Sequence, residues 1–345
     1  MRRIAVAMSG GVDSTACALL LKERFEVHGL LMNIGQPGFE AQAAQVKRLA
    51  DAIGIGFDII DLRARFTSIV LDYFIASYTA GKTPNPCMIC NREIKCGLLL
   101  NEISRFGAER LATGHYVNCR EIDGEIGLFK GADRRKDQSY FLARLSTGQL
   151  RTMTFPLGTM IKEDTYRFVE SRGFREFRGK ESQDVCFLKD TSVAEFLDSR
   201  LTEPVPAGPI VTADGRRIGT HKGLHRYTIG QRRGLGLPDH SPWYVRQLDG
   251  AANRLIVGKK EDLFSTGLHA RDLHWLVQDI PRVGDRFDAK IRSTHRGTPC
   301  TVTAIDEHAV TIEFDEAQRA VTPGQFVVWY QQDRVIGSAE IVDGL

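Results

Sequence analysis

Ile4-Ala5-Val6-Ala7-Met8-Ser9-Gly10-Gly11-Val12-Asp13-Ser14-Thr15 is the stretch whose reading decides the fold. Ile4 to Met8 is a short apolar run rich in β-formers. Ser14 to Lys22 follows at helical spacing, with Ala16, Leu19 and Leu20 on one face. Between them, Gly10 and Gly11 permit a tight turn and close approach of a phosphate to the backbone. The start of the following helix supplies unpaired N–H groups and a positive dipole end. Ser9, Ser14 and Thr15 add hydroxyl donors. Ala7, Met8 and Val12 flank the cradle. Asp13 is the odd member, since an acid beside phosphates makes sense when it binds magnesium or orients a donor. Without a ligand, the same residues read as a glycine turn capped by Asp13. The loop lacks the Gly-Lys-Ser ending of a Walker loop and the G-x-G-x-x-G of dinucleotide folds.

Working outward, the first half alternates strands and helices. Val27 to Met32 and Phe57 to Ile60 read as strands. Glu40 to Ile53 reads as a helix stopped by Gly54, and Arg63 to Tyr78 and Arg92 to Phe106 as two more. Leu111 to Thr113 leads as a strand into Gly114-His115. The rhythm predicts an α/β class with a parallel, Rossmann-like sheet, whose ligands bind at the carboxyl ends of the strands. Asp123-Gly124 inside Glu121 to Lys130 signals a hairpin. From about Glu203 the chain turns rich in Pro and Gly (Pro204, Pro206, Gly208, Pro209), with a turn at Asp214-Gly215. From about Leu268, β-rich runs recur at Phe287 to Ile291, Cys300 to Ile305, Ala309 to Phe314 and Gln325 to Tyr330, predicting a small β-barrel. The expected segments are a catalytic domain over 1–200, a small central domain over 201–265 and a C-terminal β-barrel over 266–345.

The 345 residues, 42% of them hydrophobic, suffice for a large core. With 46 basic against 43 acidic residues the net charge is only +3, so a nucleic-acid partner must be argued from local clusters. No apolar run reaches the length of a membrane span, and the start is too short for a signal peptide, so the expected location is cytoplasmic. Seven cysteines do not read as a secreted disulfide framework.

Thr83-Pro84-Asn85-Pro86 forms a rigid turn ahead of Cys87-Met88-Ile89-Cys90 and Asn91-Arg92-Glu93. Thiols near a helix start and an arginine are expected to ionise more readily. By itself the C-x-x-C is ambiguous among a redox pair, half a metal site and coincidence. Cys186, after the polar stretch Lys180 to Gln183 and Asp184, reads alone as a core residue. Cys17, Cys96, Cys119 and Cys300 read as buried. Arg216 to Arg233 carries six cations, no acid, and His221, His225 and Tyr227 between them, a pattern that can follow phosphates and stack on riboses. The bland alternative is a solvated loop. Lys130, Arg134, Arg135 and Lys136 make a second basic cluster beside Asp137-Gln138-Ser139, where a base contact competes with a turn and helix cap. The barrel adds Lys290, Arg292, His295 and Arg296.

Ser9 to Ser14 resembles the SGGxDS loop of the ATP pyrophosphatases (PP-loop proteins). Further blocks extend the likeness nearly end to end. They are TPNP…CNREIK from Thr83 to Lys95, ATGHY from Ala112, KDQSYFL from Lys136, CF at Cys186, GLHRYTIGQRRGLG from Gly223 and TPGQ from Thr322. In this pattern the chain resembles the tRNA-specific 2-thiouridylases of the MnmA family. The resemblance implies ATP and Mg2+ as requirements. It implies ATP-dependent adenylation of O2 of the wobble uridine in the anticodon stem-loop of tRNAs for Lys, Glu and Gln. A sulfur-relay donor would then load a persulfide on Cys186, whose sulfur attacks C2. Cys90 would reduce that persulfide and form a disulfide with Cys186. A thiolate suits both steps. It places Met32 and Gly114 against adenosine and Asn85, Pro86 and Cys87 around the target base. His115, Lys136, Asp137, Gln138, Arg292, Ser293 and Gln325 would contact tRNA.

Two departures stand out. The family often has an aspartate where this chain has Cys87, and Asn33 to Gly38 is shorter than the family's acidic stretch, which puts the ATP lid in question. With Cys87, the set Cys87, Cys90 and Cys186 resembles the three-thiolate site of cluster-dependent tRNA thiolases, so a 4Fe-4S cluster is a second expectation. Competing readings are a PP-loop synthetase amidating a small molecule, a non-catalytic tRNA-binding or sulfur-carrier protein, and a methyltransferase. The paired cysteines and basic stretch weigh against the first, and the intact Gly10, Gly11 and Asp13 against the second. The third lacks an obvious methyl-donor site.

Overall fold

The computed structural model describes residues 2–178, 185–188, 191–201, 203, 205–238 and 240–345. Lys180 to Gln183, Asp184 and Pro204 lie outside the described residues. The chain divides into two compact units. One comprises Met1–Val70, Cys87–Lys189 and Gln331–Ile336, the other Leu71–Pro86, Asp190–Tyr330 and Gly337–Leu345.

The first unit is built on a five-stranded sheet. β1 (Arg3–Ala7), β2 (Glu26–Asn33), β3 (Gly56–Asp61), β4 (Leu111–Ala112) and β7 (Met153–Thr154) lie in the order β3-β2-β1-β4-β7. Every pair is parallel. The order runs one way from β1 to β3 and the other way to β4 and β7, so the carboxyl end of β1 sits at the topological switch point where open α/β sheets bind ligands. α1 (Val12–Lys22) begins there. α2 (Phe39–Ile53) buries Ala43, Val46, Leu49, Ala50 and Ile53, the face its periodicity foretold. Ile4, Val6, Met8, Cys17, Leu31 and Tyr116 join that core. A hairpin of β5 (Val117–Ile122) and β6 (Glu125–Lys130) turns at Asp123 (φ 51°) and Gly124 (φ 82°), both left-handed as a two-residue hairpin loop requires.

Two helices differ from their expected form. Arg63 to Tyr78 is helical but contains a π-helical segment over Thr67–Leu71. The helix expected from Arg92 starts at Pro86, is π-helical over Cys90–Leu98 and ends in a 3-10 turn at Phe106. Proline fits a first helical turn, because its missing N–H has no intrahelical partner there.

In the second unit, β8 (Gly208–Thr212), β9 (Arg217–His221), β10 (Tyr244–Asp249) and β11 (Arg254–Gly258) form a sheet in the order β10-β11-β8-β9. Its core is Ile210, Leu224, Tyr227, Leu235, Val245, Leu255 and Val257. β12 (Phe264–Trp275), β13 (Arg286–Lys290), β14 (Thr298–Ile305), β15 (Ala309–Arg319), β16 (Phe326–Gln331) and β17 (Arg334–Gly344) follow in the order β12-β15-β14-β13-β16-β17, and β17 pairs back onto β12. That closure makes the expected barrel and leaves it no free edge. Buried Trp329 stacks on half-buried Trp275, their rings 5.1 Å apart. Among the described residues, no helix is long and apolar enough to cross a membrane.

Candidate active site

Gly10 has φ +83°, and a Cβ there would lie 3.1 Å from Val46 Cγ2. The Ser14 and Thr15 hydroxyls both donate to Gly11 O, at 3.0 and 3.1 Å. Two α2 side chains fix the loop from outside. Gln42 Nε2 donates to Ser9 O at 2.8 Å and Gln45 Nε2 to Gly10 O at 3.2 Å. With these carbonyls occupied, the peptide orientation of the cradle is set before any anion arrives. Gly114 abuts the loop so closely that a Cβ would lie 2.8 Å from Asp13 Cβ.

Asp13 is already engaged. Lys162, first residue of the helix Lys162–Ser171, donates to both carboxylate oxygens at 2.8 Å. The Tyr116 hydroxyl reaches Asp13 Oδ1 at 2.7 Å and Thr165 Oγ1 at 2.9 Å. Burial, then the Asp13 charge, pushes the Tyr116 phenol well above its ordinary range, so it stays protonated. Neither Lys162 nor Tyr116 stands out as a site residue in the sequence. Tyr116 lies inside the ATGHY block, whereas Lys162 is a lone lysine after Ile161.

A cavity of about 310 Å³ opens from this loop. Ala7, Met8, Ser9, Asp13 and Ser14 line one side. Leu30, Leu31, Met32 and Gly114 form an apolar wall, and Cys90, Lys95, His115, Gln138 and Cys186 complete it. Phosphate loop and both expected sulfur-handling thiols therefore face one space. Gln36, from the short Asn33 to Gly38 segment, also lines it. It accepts from Ile34 N at 3.0 Å and donates to Gln42 Oε1 at 2.8 Å, so this segment is tied to the same glutamine that holds Ser9. Gln36, Gln42 and Lys95 are further lining residues that sequence reasoning missed.

The thiols correct one expectation. Burial, opposed by Lys95, pushes Cys90 up to about 12. Burial likewise raises Cys87 and Cys186, although Cys186 is solvent-exposed as a residue. They ionise less readily than a free thiol, because desolvation outweighs the helix start and Arg92 is ion-paired to Glu93 at 2.9 Å. Lys95 is the principal cation acting against this at Cys90 and Cys186. The i→i+5 bonding of the π-helix brings Lys95 round towards the face of Cys90, which an α-helix would not do. All seven cysteines are free thiols. Cys17, Cys96 and Cys300 are buried as expected, while Cys119 is only partly so. Among the described residues, no group of three His, Cys, Asp or Glu is gathered to hold a metal.

The expected RNA contacts divide. His115 is buried and accepts or donates at Nδ1 with Thr113 Oγ1 at 2.8 Å; burial first, then Lys95, holds it well below the usual histidine range and neutral. Asp137 caps the turn, accepting from Gly131 N and Ser139 N, both at 3.1 Å, and from Ser139 Oγ at 2.9 Å, which is the structural alternative weighed above. Gln138 Oε1 accepts from Tyr116 N, and Lys136 is half-buried beside it. Asn85 and Pro86 are buried and Cys87 half-buried. Arg292 donates to Arg319 O, Ser293 is half-buried next to it, and Gln325 binds Thr83 O and Pro84 O. In the basic stretch, Arg216, Arg217, Lys222, Arg226, Arg232 and Arg233 are exposed. His221, His225 and Tyr227 are buried, so those rings serve the core and do not stack on RNA as expected.

Comparison with known proteins finds the same family along nearly the whole chain. Residues 2–190 match the family described as tRNA methyl transferase HUP domain, 194–259 the tRNA methyl transferase PRC-barrel domain and 265–341 the aminomethyltransferase beta-barrel domain. The chain is 48% identical to the tRNA-specific 2-thiouridylase MnmA of Desulfotalea psychrophila, over 98% of each chain. It is 42% identical to that of Trichlorobacter lovleyi, over 99% of this chain and 98% of the relative. With that of Syntrophotalea carbinolica it shares 41% identity, over the same shares of each.

Proposed function

Because the chain belongs to the family of tRNA-specific 2-thiouridylases, we propose a division of labour for a reaction that converts a uridine of tRNA to 2-thiouridine. The chain is a tRNA-uridine 2-sulfurtransferase that uses ATP. The small-molecule synthetase reading is not favoured, since the relatives match over nearly their full length.

The observation that carries the assignment of roles is the shared cavity, in which the phosphate loop, Cys90 and Cys186 line one space. ATP lies with its phosphates on Ser9 to Ser14 and its adenosine against Met32 and Gly114. The uridine O2 of the wobble base attacks the α-phosphate, and pyrophosphate leaves. Lys162 shifts from Asp13 to the phosphates, where a cation stabilises developing charge. Asp13 is the sole carboxylate lining the cavity among the described residues. One carboxylate plus substrate phosphates is a usual donor set for Mg2+, which would neutralise phosphate charge there. Cys186 carries the persulfide received from a sulfur-relay protein. Its terminal sulfur attacks C2 and AMP leaves, giving a C2–S–S–Cys186 link; the Cys90 thiolate then attacks Cys186 Sγ, the S–S bond to the base breaks with the 2-thiouridine sulfur as leaving group, and the Cys90–Cys186 disulfide remains. Exposure of Cys186 suits docking of a donor protein, and Lys95 favours the thiolate at both cysteines. No step of this route runs through a metal cluster.

Loops around Asn85 to Cys87 surround the target base, and the exposed cations of Arg216 to Arg233 follow the tRNA backbone. The accepted tRNAs are those for Lys, Glu and Gln, and the working segments are 1–200, 201–265 and 266–345. The test is to incubate the protein with unmodified tRNA, ATP, Mg2+ and a persulfide-loaded donor protein, and to measure 2-thiouridine in digested tRNA alongside pyrophosphate. Both products should appear together and depend on tRNA. Pyrophosphate without thiouridine would contradict the sulfur-transfer roles.

A further inference from the structure

Lys95 is the only lysine or arginine among the described residues lining the cavity of the phosphate loop. Among the described residues it forms no hydrogen bond and no ion pair. The one carboxylate on the cavity wall, Asp13, is held at both oxygens by Lys162. The groups that feel the Lys95 charge are Cys87, Cys90, Cys186 and His115. Burial keeps the three thiols protonated and the imidazole neutral at pH 7. Lys95 is therefore a half-buried cation whose surroundings hold no counter-ion for it. In an open cavity water can solvate such an ammonium. That solvation is lost when nucleotide and base fill the space, and a buried charge is then costly unless an anion meets it. Lys95 belongs to the same π-helical run as Cys90, so its backbone ties it to the thiols and not to the phosphate loop.

We infer that Lys95 is a catalytic residue of the sulfur-transfer step, whose ammonium donates to the oxygen that leaves C2 with AMP. This rests on the reading that Cys186 carries the attacking persulfide. The uridine adenylate has one negative charge on its phosphate, and the persulfide anion brings another. As the terminal sulfur bonds to C2, the C2–O2 bond breaks. O2 departs as an oxygen of AMP, which carries both charges away. Negative charge thus grows on an atom bonded to the very carbon that the Cys186 sulfur attacks. A cation beside Cys186 is placed to stabilise it. Lys95 stays protonated throughout, so the leaving group needs no proton. The two lysines then divide the two half-reactions. Lys162 is tied to the phosphate loop through Asp13, and Lys95 to the thiols through the π-helix.

The experiment uses the full chain as wild type, Lys95→Met and Lys95→Arg. Each is preloaded with persulfide on Cys186, checked by mass spectrometry, and given unmodified tRNA, Mg2+ and ATP labelled at the α-phosphate. Pyrophosphate, free AMP, tRNA-bound AMP and thiouridine are followed through a single turnover. AMP departs before Cys90 takes part, so its release separates help to the leaving group from help to the Cys90 thiolate. Lys95→Met should release pyrophosphate at the wild-type rate, which also reports that it is folded. It should release AMP about 10²- to 10³-fold more slowly and accumulate adenylated tRNA. Lys95→Arg, which keeps the cation, should recover much of the AMP release. The proposal is overturned if Lys95→Met frees AMP at the wild-type rate. It is equally overturned if pyrophosphate release falls as far as AMP release and no adenylated tRNA builds up. A wild type whose AMP release does not depend on persulfide at Cys186 would instead sink the underlying reading of that cysteine.

Discussion

Lys162 Nζ sits 2.8 Å from both carboxylate oxygens of Asp13, so the acid of the phosphate loop has a counter-ion in place before nucleotide is bound. The lysine side chain is 12% exposed and the aspartate 34%. Removing one partner leaves the other partly buried charge uncompensated.

In the proposed adenylation Lys162 serves as the cation that moves from Asp13 to the phosphates. Lys162→Met should lower the rate of tRNA-dependent pyrophosphate release by about 10²- to 10³-fold, the usual cost of removing one preorganised donor to transition-state charge. Asp13→Asn should be similarly impaired. Transfer of sulfur to Cys186 from a persulfide donor, followed by mass spectrometry, should survive in both variants. Wild-type pyrophosphate release by Lys162→Met would contradict the role.

The raised thiols set a pH dependence. A thiol pushed upward is protonated at neutral pH, and its reactive thiolate grows as pH rises towards the folded value, about 12 for Cys90. Alkylation of Cys90 by iodoacetamide in the free protein should therefore climb steadily from pH 7 into the alkaline range. Lys95 opposes the rise at Cys90 and Cys186. Lys95→Met should shift both alkylation profiles to higher pH and slow thiouridine formation at pH 7. Unchanged profiles would show that the ammonium has no hold on either thiolate.

The glutamines of α2 should act on ATP alone. Gln42→Ala and Gln45→Ala each remove a hydrogen bond to a loop carbonyl, 2.8 and 3.2 Å long in the native protein. Each should raise the KM for ATP by about 3- to 10-fold, as expected of a bond worth about 0.5–1.5 kcal/mol. Filter binding of tRNA should be unaffected. A tRNA defect with normal ATP KM would place these side chains elsewhere in the reaction.

Much of this was legible in the sequence because local and global signals agreed. The SGGVDS loop lay between a β-rich run and a helical spacing, and strand, turn and helix formed there, although the helix buries Val12, Ser14 to Ala18 and Leu21 and leaves Leu19 and Leu20 of the expected face half-buried. α2 kept its buried face and its glycine stop. What escaped depended on tertiary position or on an unusual helix. The Lys95 relation to Cys90 is invisible at a 3.6-residue period and emerges only from π-helical bonding. Lys162 reaches Asp13 across 149 positions of sequence. The thiol expectation failed because a sequence shows neighbours along the chain but not desolvation. His221, His225 and Tyr227 misled for the same reason, since alternation with cations says nothing of which side faces the core.

The most direct test of the central claim, that adenylation and sulfur transfer share one cavity but use separate residues, is a paired product analysis of Cys186→Ser and Cys90→Ser. Each variant is given tRNA, ATP, Mg2+ and a persulfide-loaded donor. Pyrophosphate and tRNA 2-thiouridine are measured in one reaction. Both variants should still release pyrophosphate in a tRNA-dependent manner and yield no thiouridine beyond background. Thiouridine formed by Cys186→Ser at the wild-type rate, or loss of pyrophosphate release in both variants, would contradict the account.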